Sequence, residues 1–294
     1  MPRRTASIAT ALSVLMIGAT LIAGCGTKNN NTEVVCNTAA DLSSEDALAL
    51  NEEIAELTKS IKINPKDPVA FYNRANAKYN LKDCQESIAD YNKAIEISPQ
   101  YADAYSGRGL AKTELGDYQG AVADHNKALE INPQLAIAYI NRGKTRQVLK
   151  DYQRAIADFD KAIEINPQDA VVYNDRGIAH WFFADDDSGT AKIYSNDYLL
   201  SEAILDFDRA IEINPKLLRA YFNRGNVMHR LNNYEGAVAD YNKVIGFNKQ
   251  DARAYGWRGI NKELIGDLKG ACVDWKEASS LGNIDAAEFV KDQC

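Results

Sequence analysis

Three histidines, five cysteines and one acidic run are the places where this chain of 294 residues could do chemistry. His125, His180 and His229 each lack a serine, cysteine or carboxylate at a spacing suited to nucleophilic or acid–base work. No phosphate loop, HExxH or CxxC occurs, so the common cradles for a nucleotide or zinc are missing. Asp185-Asp186-Asp187-Ser188-Gly189 opens like a calcium loop, but the later glutamate and its spacing are absent, and a solvated loop is expected. These residues predict no enzyme, no metal and no cofactor.

The elements that must position any site are legible in the prolines. Pro65, Pro99, Pro133 and Pro167 stand 34 residues apart, and the step to Pro215 is 48, one period plus an insertion of 14. Lys249 takes the place of the next proline. A fixed period of 34 marks an array of helix-turn-helix repeats. The copies run 68–101, 102–135, 136–169, 170–217, 218–251 and 252–285, with the insertion at about 184–199. Within the third, Tyr139, Arg142, Gly143 and Arg146 share one helical face, and Ala155, Phe159 and Ala162 share another. Lys150-Asp151-Tyr152 forms the turn between them, and Asn166 before Pro167 ends the second helix. A single pair cannot bury its apolar stripe, whereas stacked pairs can.

The repeat positions resemble those of the tetratricopeptide repeat family over residues 44–294. Position 4 holds Phe71, Tyr105, Tyr139, Tyr173, Tyr221 and Tyr255, and position 8 holds Ala75, Gly109, Gly143, Gly177, Gly225 and Gly259. Position 20 is Ser87, Ala121, Ala155, Ala203, Ala237 and Ala271; position 27 is Ala94, Ala128, Ala162, Ala210, Val244 and Ala278. The resemblance implies an all-α, right-handed superhelical solenoid of antiparallel helix pairs. Residues 44–67 read as an N-terminal capping helix with Ser43 or Ser44 as its N-cap, and 286–294 as a C-terminal one, about fourteen helices in all. Trp181, Phe182 and Phe183 precede the insertion and Tyr194, Tyr198 and Leu199 close it, either to touch a partner or to pack the longer helices together.

One departure from the family is systematic. Position 7, usually leucine, is Arg74, Arg108, Arg142, Arg176, Arg224 and Arg258, and position 23 is Asp90, Asp124, Asp158, Asp206, Asp240 and Asp274. Facing positions across a hairpin sum to about 31, so each arginine is expected to meet the aspartate of its own pair, as a structural ion pair or as a ladder for a charged ligand.

The family resemblance also implies a concave groove lined by positions 2, 5, 6, 9, 12 and 13. Here these give Tyr72, Asn73, Asn76, Tyr79, Ile140, Asn141, Lys144, Asn174, Asp175 and Trp181, then Arg219, Phe222, Asn223, Asn226, His229, Arg230, Arg253 and Trp257. Asparagines can hold an extended peptide backbone, while aromatics and arginine supply contact energy. The family's carboxylate clamp is not carried over, because Tyr72 stands where its lysine belongs, although Asn76 fits. Arg219, Arg230 and Arg253 would suit an acidic or C-terminal segment, unless they are ordinary surface charge.

Arg3 and Arg4, the apolar stretch Ile8 to Ala23 and then Ile22-Ala23-Gly24-Cys25 read as a secretory signal over 1–24. Cys25 after small residues resembles the lipobox of bacterial lipoproteins, which implies acylation of Cys25 and a membrane anchor through the N-terminal lipid. Residues 25–43 then form a lipidated, flexible tether. Gly26 in place of aspartate leans toward the outer membrane where two membranes exist. Removing residues 1–24 takes two of 34 basic residues and none of the 41 acidic ones, so 32 against 41 leaves −9, which argues against nucleic acid as a partner.

Cys36, Cys84, Cys272 and Cys294 remain, an even number that allows disulfides in an exported chain. Facing residues of helices 268–281 and 285–294 sum to about 566, as 272 and 294 do, and Cys36 precedes the first helix near the Cys84 loop. The expected bridges are Cys36–Cys84 and Cys272–Cys294. The alternative is that Cys272 is a buried apolar residue, its position being Ile or Val in the other copies. The whole predicts a monomeric, lipid-anchored, extracytoplasmic scaffold of the cell envelope that binds protein or peptide partners. Narrower alternatives are an assembly or localisation factor for a pilus, secretion or wall-remodelling machine, or a regulator of a peptidoglycan hydrolase.

Overall fold

The computed structural model describes residues 43–186 and 195–294, which form fourteen helices and no strand. Cys25, Cys36 and Tyr194, with the signal segment and most of the tether, lie outside the described residues. The chain divides into two compact units meeting at Leu149 and Lys150.

The first unit contains α1 (Ser44–Ile63), α2 (Pro68–Asn80), α3 (Cys84–Ile97), α4 (Ala102–Glu114), α5 (Tyr118–Ile131) and α6 (Ala136–Val148). The second contains α7 (Tyr152–Ile165), α8 (Ala170–Ala184), α9 (Asn196–Ile213), α10 (Leu218–Arg230), α11 (Tyr234–Phe247), α12 (Ala252–Leu264), α13 (Leu268–Ser280) and α14 (Ile284–Gln293). In each, every helix packs on the one before it.

Local chemistry sets the ends. Asp83, Asp117, Asn233 and Asp267 accept a backbone N–H from the first turn of α3, α5, α11 and α13, satisfying a donor the helix leaves open. One residue before each of these, at Lys82, Gly116, Asn232 and Gly266, the chain turns through positive φ, as it does at Lys150 before Asp151, which closes these hairpins. Between repeats, the asparagine that ends α1, α5, α7, α9 and α11, where α3 has Ser98, folds back on the chain. Asn132 Oδ1 accepts from Gln134 at 3.0 Å and Asn214 from Lys216 at 3.1 Å. Asn248 does the same with Gln250 at 3.1 Å, so Lys249 keeps the turn that the prolines occupy elsewhere.

Close approach of the two helices depends on position 8. A Cβ on Gly109 would lie 2.7 Å from a ring carbon of His125, and one on Gly259 would lie 2.5 Å from the indole nitrogen of Trp275. Those rings, with Tyr91, Phe159, Phe207 and Tyr241, occupy one repeat position and are at most 2 % exposed. Small residues thus make room for one large ring per hairpin.

The fourth repeat departs from this frame. Its helices α8 and α9 have 15 and 18 residues, against 13 and 14 in the neighbouring repeats, with Ser195 capping α9. Trp181, Phe183 and Leu199 are buried and Trp181 stacks on Phe182 at 5.4 Å, whereas Tyr198 is half exposed. Phe182 and Phe183 each lie 6.3 Å from Tyr152 of α7, so these two rings face the preceding helix.

At the two ends, Ser43 caps α1 by accepting from Asp46 N at 3.1 Å, and Phe289 of α14 covers Trp275 at 5.1 Å. Cys272 and Cys294 are joined by a disulfide that ties α14 to α13, with Cα atoms 5.6 Å apart. Cys84 is buried at the start of α3.

Candidate functional site

The arginine and aspartate columns meet across the helix pairs. Arg74 grips Asp90 through Nε and Nη2 at 2.8 and 2.7 Å, and Arg224 grips Asp240 at 2.8 and 2.6 Å. Arg108 with Asp124 and Arg258 with Asp274 repeat this fork at 2.8 and 2.5 Å. The longer fourth repeat preserves it: Arg176 reaches Asp206 at 2.6 Å. Arg142 and Asp158 belong to different units; Arg142 donates to Asn126 at 2.6 Å.

Each arginine does more than its column foretold. Its remaining Nη1 donates to the preceding helix pair: Arg108 to Asn92 at 2.7 Å, Arg176 to Asp160 at 2.6 Å and Arg258 to Asn242 at 2.6 Å. Its guanidinium also lies over the aromatic at position 4 of its own helix, 5.3–5.7 Å from the centroid, in all six repeats. Position 11 adds a third group, Lys78, Lys112 and Lys262 contacting the aspartates at 2.8–2.9 Å. In the fourth repeat His180 takes that place, its Nδ1 3.0 Å from Asp206 Oδ2. The hydrogen bond to Asp240 holds the Arg224 guanidinium well above its ordinary range, as a proton locked into a pair. With the aspartate side chains only 1–7 % exposed, these charges fix register within and between repeats and offer no open ligand ladder.

The first-helix face separates into two groups. Several asparagines expected to hold a peptide are consumed by the fold. Asn76 Oδ1 accepts the Tyr91 hydroxyl at 2.5 Å and Asn226 Oδ1 that of Tyr241 at 2.7 Å. Asn223 donates to Asn174 at 3.0 Å, Asn174 donates to Asp175 at 3.2 Å, and Asn141 reaches Ser106 Oγ at 3.5 Å. Asn141, Asn174, Asn223 and Asn226 are buried, and so is Trp181 at 5 % exposure. Asn174 at position 5, Asn141, Asp175 and Asn223 at position 6 and Asn226 at position 9 fall in the seam where first helices pack closely. The sequence held a signal for part of this: asparagine stands at position 9 in the two repeats, and only those, whose ring position is tyrosine.

The second group stays accessible. In the first unit Tyr72 lies 5.0 Å from Tyr101, the Tyr79 hydroxyl donates to Glu114 at 3.4 Å, and Asn73 and Lys144 are half-buried. Burial, then the nearby Glu114 charge, pushes the Tyr79 hydroxyl far above its ordinary range. Tyr79 also borders a shallow cleft with Asp46, Ala49, Leu50, Glu53, Asn80 and Lys82. In the second unit Arg253 lies over the Phe222 ring at 5.0 Å, and Trp257 meets His229 edge-on at 5.3 Å. His229 Nδ1 is 3.0 Å from Asn261 Oδ1, and Arg230 pairs with Asp185 at 3.2 Å. Arg219 is exposed at the start of α10.

Comparison with known proteins agrees with this architecture. Residues 102–135 and 136–169 match the tetratricopeptide repeat model, residues 75–116 match a TPR repeat model, and residues 207–239 match a further tetratricopeptide repeat model. The chain carries tetratricopeptide repeats, the fold of protein-interaction scaffolds. It is similar to a chain of the APC/C hetero-tetramer Cut9–Hcn1, with 16 % identity and a TM-score of 0.64 over 82 % of this chain and 45 % of that one. It thus spans less than half the length of that relative. The pilF protein of Pseudomonas aeruginosa is similar at 16 % identity and TM-score 0.63, over 76 % of this chain and 97 % of that one. YrrB, described as a TPR protein with an unusual peptide-binding site, is similar at 24 % identity and TM-score 0.50, over 67 % of this chain and 95 % of its own. At these identities the likeness is one of fold. No curated protein matches the chain.

Proposed function

We propose that this chain is a lipid-anchored, extracytoplasmic scaffold that binds protein or peptide partners on the exposed faces of its first helices, and that it is not an enzyme. The observation that carries this reading is the contrast between charges and charges. The arginines at position 7 are locked into pairs, while Arg219, Arg253, Phe222 and Trp257 stay accessible on α10 and α12, where nothing in hairpin packing requires arginine or tryptophan. Aromatic and arginine side chains are the types that dominate binding energy at protein interfaces. The Cys272–Cys294 bridge supports an oxidising compartment. The Cys25 motif supports export and acylation.

Two experiments test it. Affinity capture from detergent-solubilised membranes should recover partners with the full chain and lose them with Tyr72→Ala, Phe222→Ala and Trp257→Ala combined; the same partners on both would refute the binding face. Metabolic palmitate labelling should mark the wild type and not Cys25→Ser, and an unlabelled wild type would refute the anchor.

A further inference from the structure

The junction between the fifth and sixth repeats breaks three rules that the earlier junctions keep. The second helices of the first four repeats end in a basic residue followed three positions later by glutamate, and these pair on the surface: Lys93–Glu96 at 2.7 Å, Lys127–Glu130 at 3.0 Å, Lys161–Glu164 at 2.7 Å and Arg209–Glu212 at 2.5 Å. At the end of α11, Lys243 is followed by Gly246 in place of the glutamate, and by Phe247 in place of isoleucine. Lys249 then replaces proline without altering the turn. Lys243 and Lys249 are exposed, and Phe247 is 58 % exposed.

These changes share one edge with the cations that open α10 and α12. Tyr221 and Phe222 near the start of α10 pack with Val244 and Ile245 near the end of α11 and with Ala254 and Tyr255 of α12, which brings these helix ends together. Arg219 and Arg253 project from the same first turns, where the helix N-termini add positive potential. Arg253 shares its charge between Asp251 at 3.3 Å and the Phe222 ring at 5.0 Å. On the preceding helix Asp208 is held by Arg224 and Glu212 by Arg209. In the first unit the position of Arg219 and Arg253 is Val69, Asp103 and Ile137. A chain of net charge −7 thus carries Arg219, Lys243, Lys249 and Arg253 at the same helix ends at which Phe247 is exposed.

We propose that the edge formed by Arg219, Lys243, Phe247, Lys249 and Arg253 docks an acidic polypeptide segment that also carries an apolar side chain to cover Phe247. This rests on the reading of the chain as a protein-binding scaffold and names the chemistry of one partner. Charge on both sides speeds encounter and selects the partner, while burial of Phe247 supplies the apolar contact. An anionic membrane is the less favoured surface, because the remainder of the chain carries the same sign as the lipid.

The test uses the full chain in detergent with fluorescein-labelled peptides alternating glutamate and leucine, their lysine-for-glutamate counterparts, and phosphatidylglycerol vesicles. The acidic peptide should bind and the basic one should not. Lys243→Glu, Lys249→Glu and Arg253→Glu combined should weaken binding at least about tenfold, and raised salt should weaken it too. Phe247→Ser should weaken it without removing the salt dependence. All four side chains lie on the surface, so an unchanged helical circular dichroism signal is expected and checks the fold. Absence of acidic-peptide binding, binding unmoved by charge reversal, or vesicle binding in its place would each overturn the proposal. If membrane capture fails with the Tyr72, Phe222 and Trp257 variant yet survives charge reversal, the scaffold reading stands and this edge falls.

Discussion

The second repeat, α4 with α5, and the sixth, α12 with α13, are built from the same three charges at nearly the same distances. Arg108 and Lys112 hold Asp124 as Arg258 and Lys262 hold Asp274, with lysine contacts of 2.8 Å in both. They differ in the ring that fills the hairpin and in what lies beyond it. The second repeat buries His125, whose two ring nitrogens have no hydrogen-bond partner. The sixth buries Trp275, covered by Phe289 and sealed by the Cys272–Cys294 bridge. The lesson is that register is specified by charge and can be copied unchanged, whereas filling is specified by shape and tolerates exchange.

The most severe way to break that equivalence is to remove the shared aspartate. Asp124→Ala and Asp274→Ala each strand an arginine and a lysine in a largely dry seam and should cost about 3–5 kcal/mol. Urea unfolding of the two variants should show similar losses, and a negligible loss in either would show that its charges are not held by the pair. The bridge is where the two repeats should diverge next. Cys294→Ser opens a loop of 22 residues in sequence separation, a loss of about 3 kcal/mol in the chain-entropy account. Reducing agent should lower the wild-type melting temperature and leave the variant's unmoved.

His125 supplies a third distinction, visible only in acid. Burial, with Arg142 adding to it and Asp124 opposing, lowers its pKa from 6.5 to about 4. The unfolded chain therefore takes up a proton that the folded one refuses. The stability is fully present above pH 6.5, falls between 6.5 and about 4, and levels off below. At pH 5 the deficit is about 2 kcal/mol. His125→Phe, matching Phe159, should flatten that part of the pH profile, while Trp275→Phe should not; an unchanged profile in His125→Phe would assign the acid sensitivity elsewhere. The smallest effect is expected on the outer face, where Lys127→Ala removes an exposed pair with Glu130 and should change stability by less than about 0.5 kcal/mol.

Much of this was legible because repetition multiplies a weak signal. A single arginine sixteen residues before an aspartate says little, but a column of each locates both helices, their turn and their register. The same logic missed what lies between repeats. The second contact of each arginine, to Asn92, Asp160 or Asn242, joins positions of neighbouring copies, and its column of asparagine and aspartate reads as ordinary surface polarity until the helices are stacked. The groove asparagines were misread for a related reason. Asn174 and Asn223 sit at positions that line a face in an isolated helix, yet 49 residues apart in sequence they close on one another when first helices pack.

By itself, then, the sequence determined the period, the helix pairs and the charge columns, because these follow from local geometry and from spacing within one hairpin; between the Cys272–Cys294 bridge and a buried apolar Cys272 the structure decided for the bridge. Only the tertiary structure decided which polar side chains are spent inside the stack and which remain outside it. That choice depends on how closely neighbouring helices approach, and the approach is set by the volumes of residues many positions away, such as Gly109 beneath His125 and Gly259 beneath Trp275.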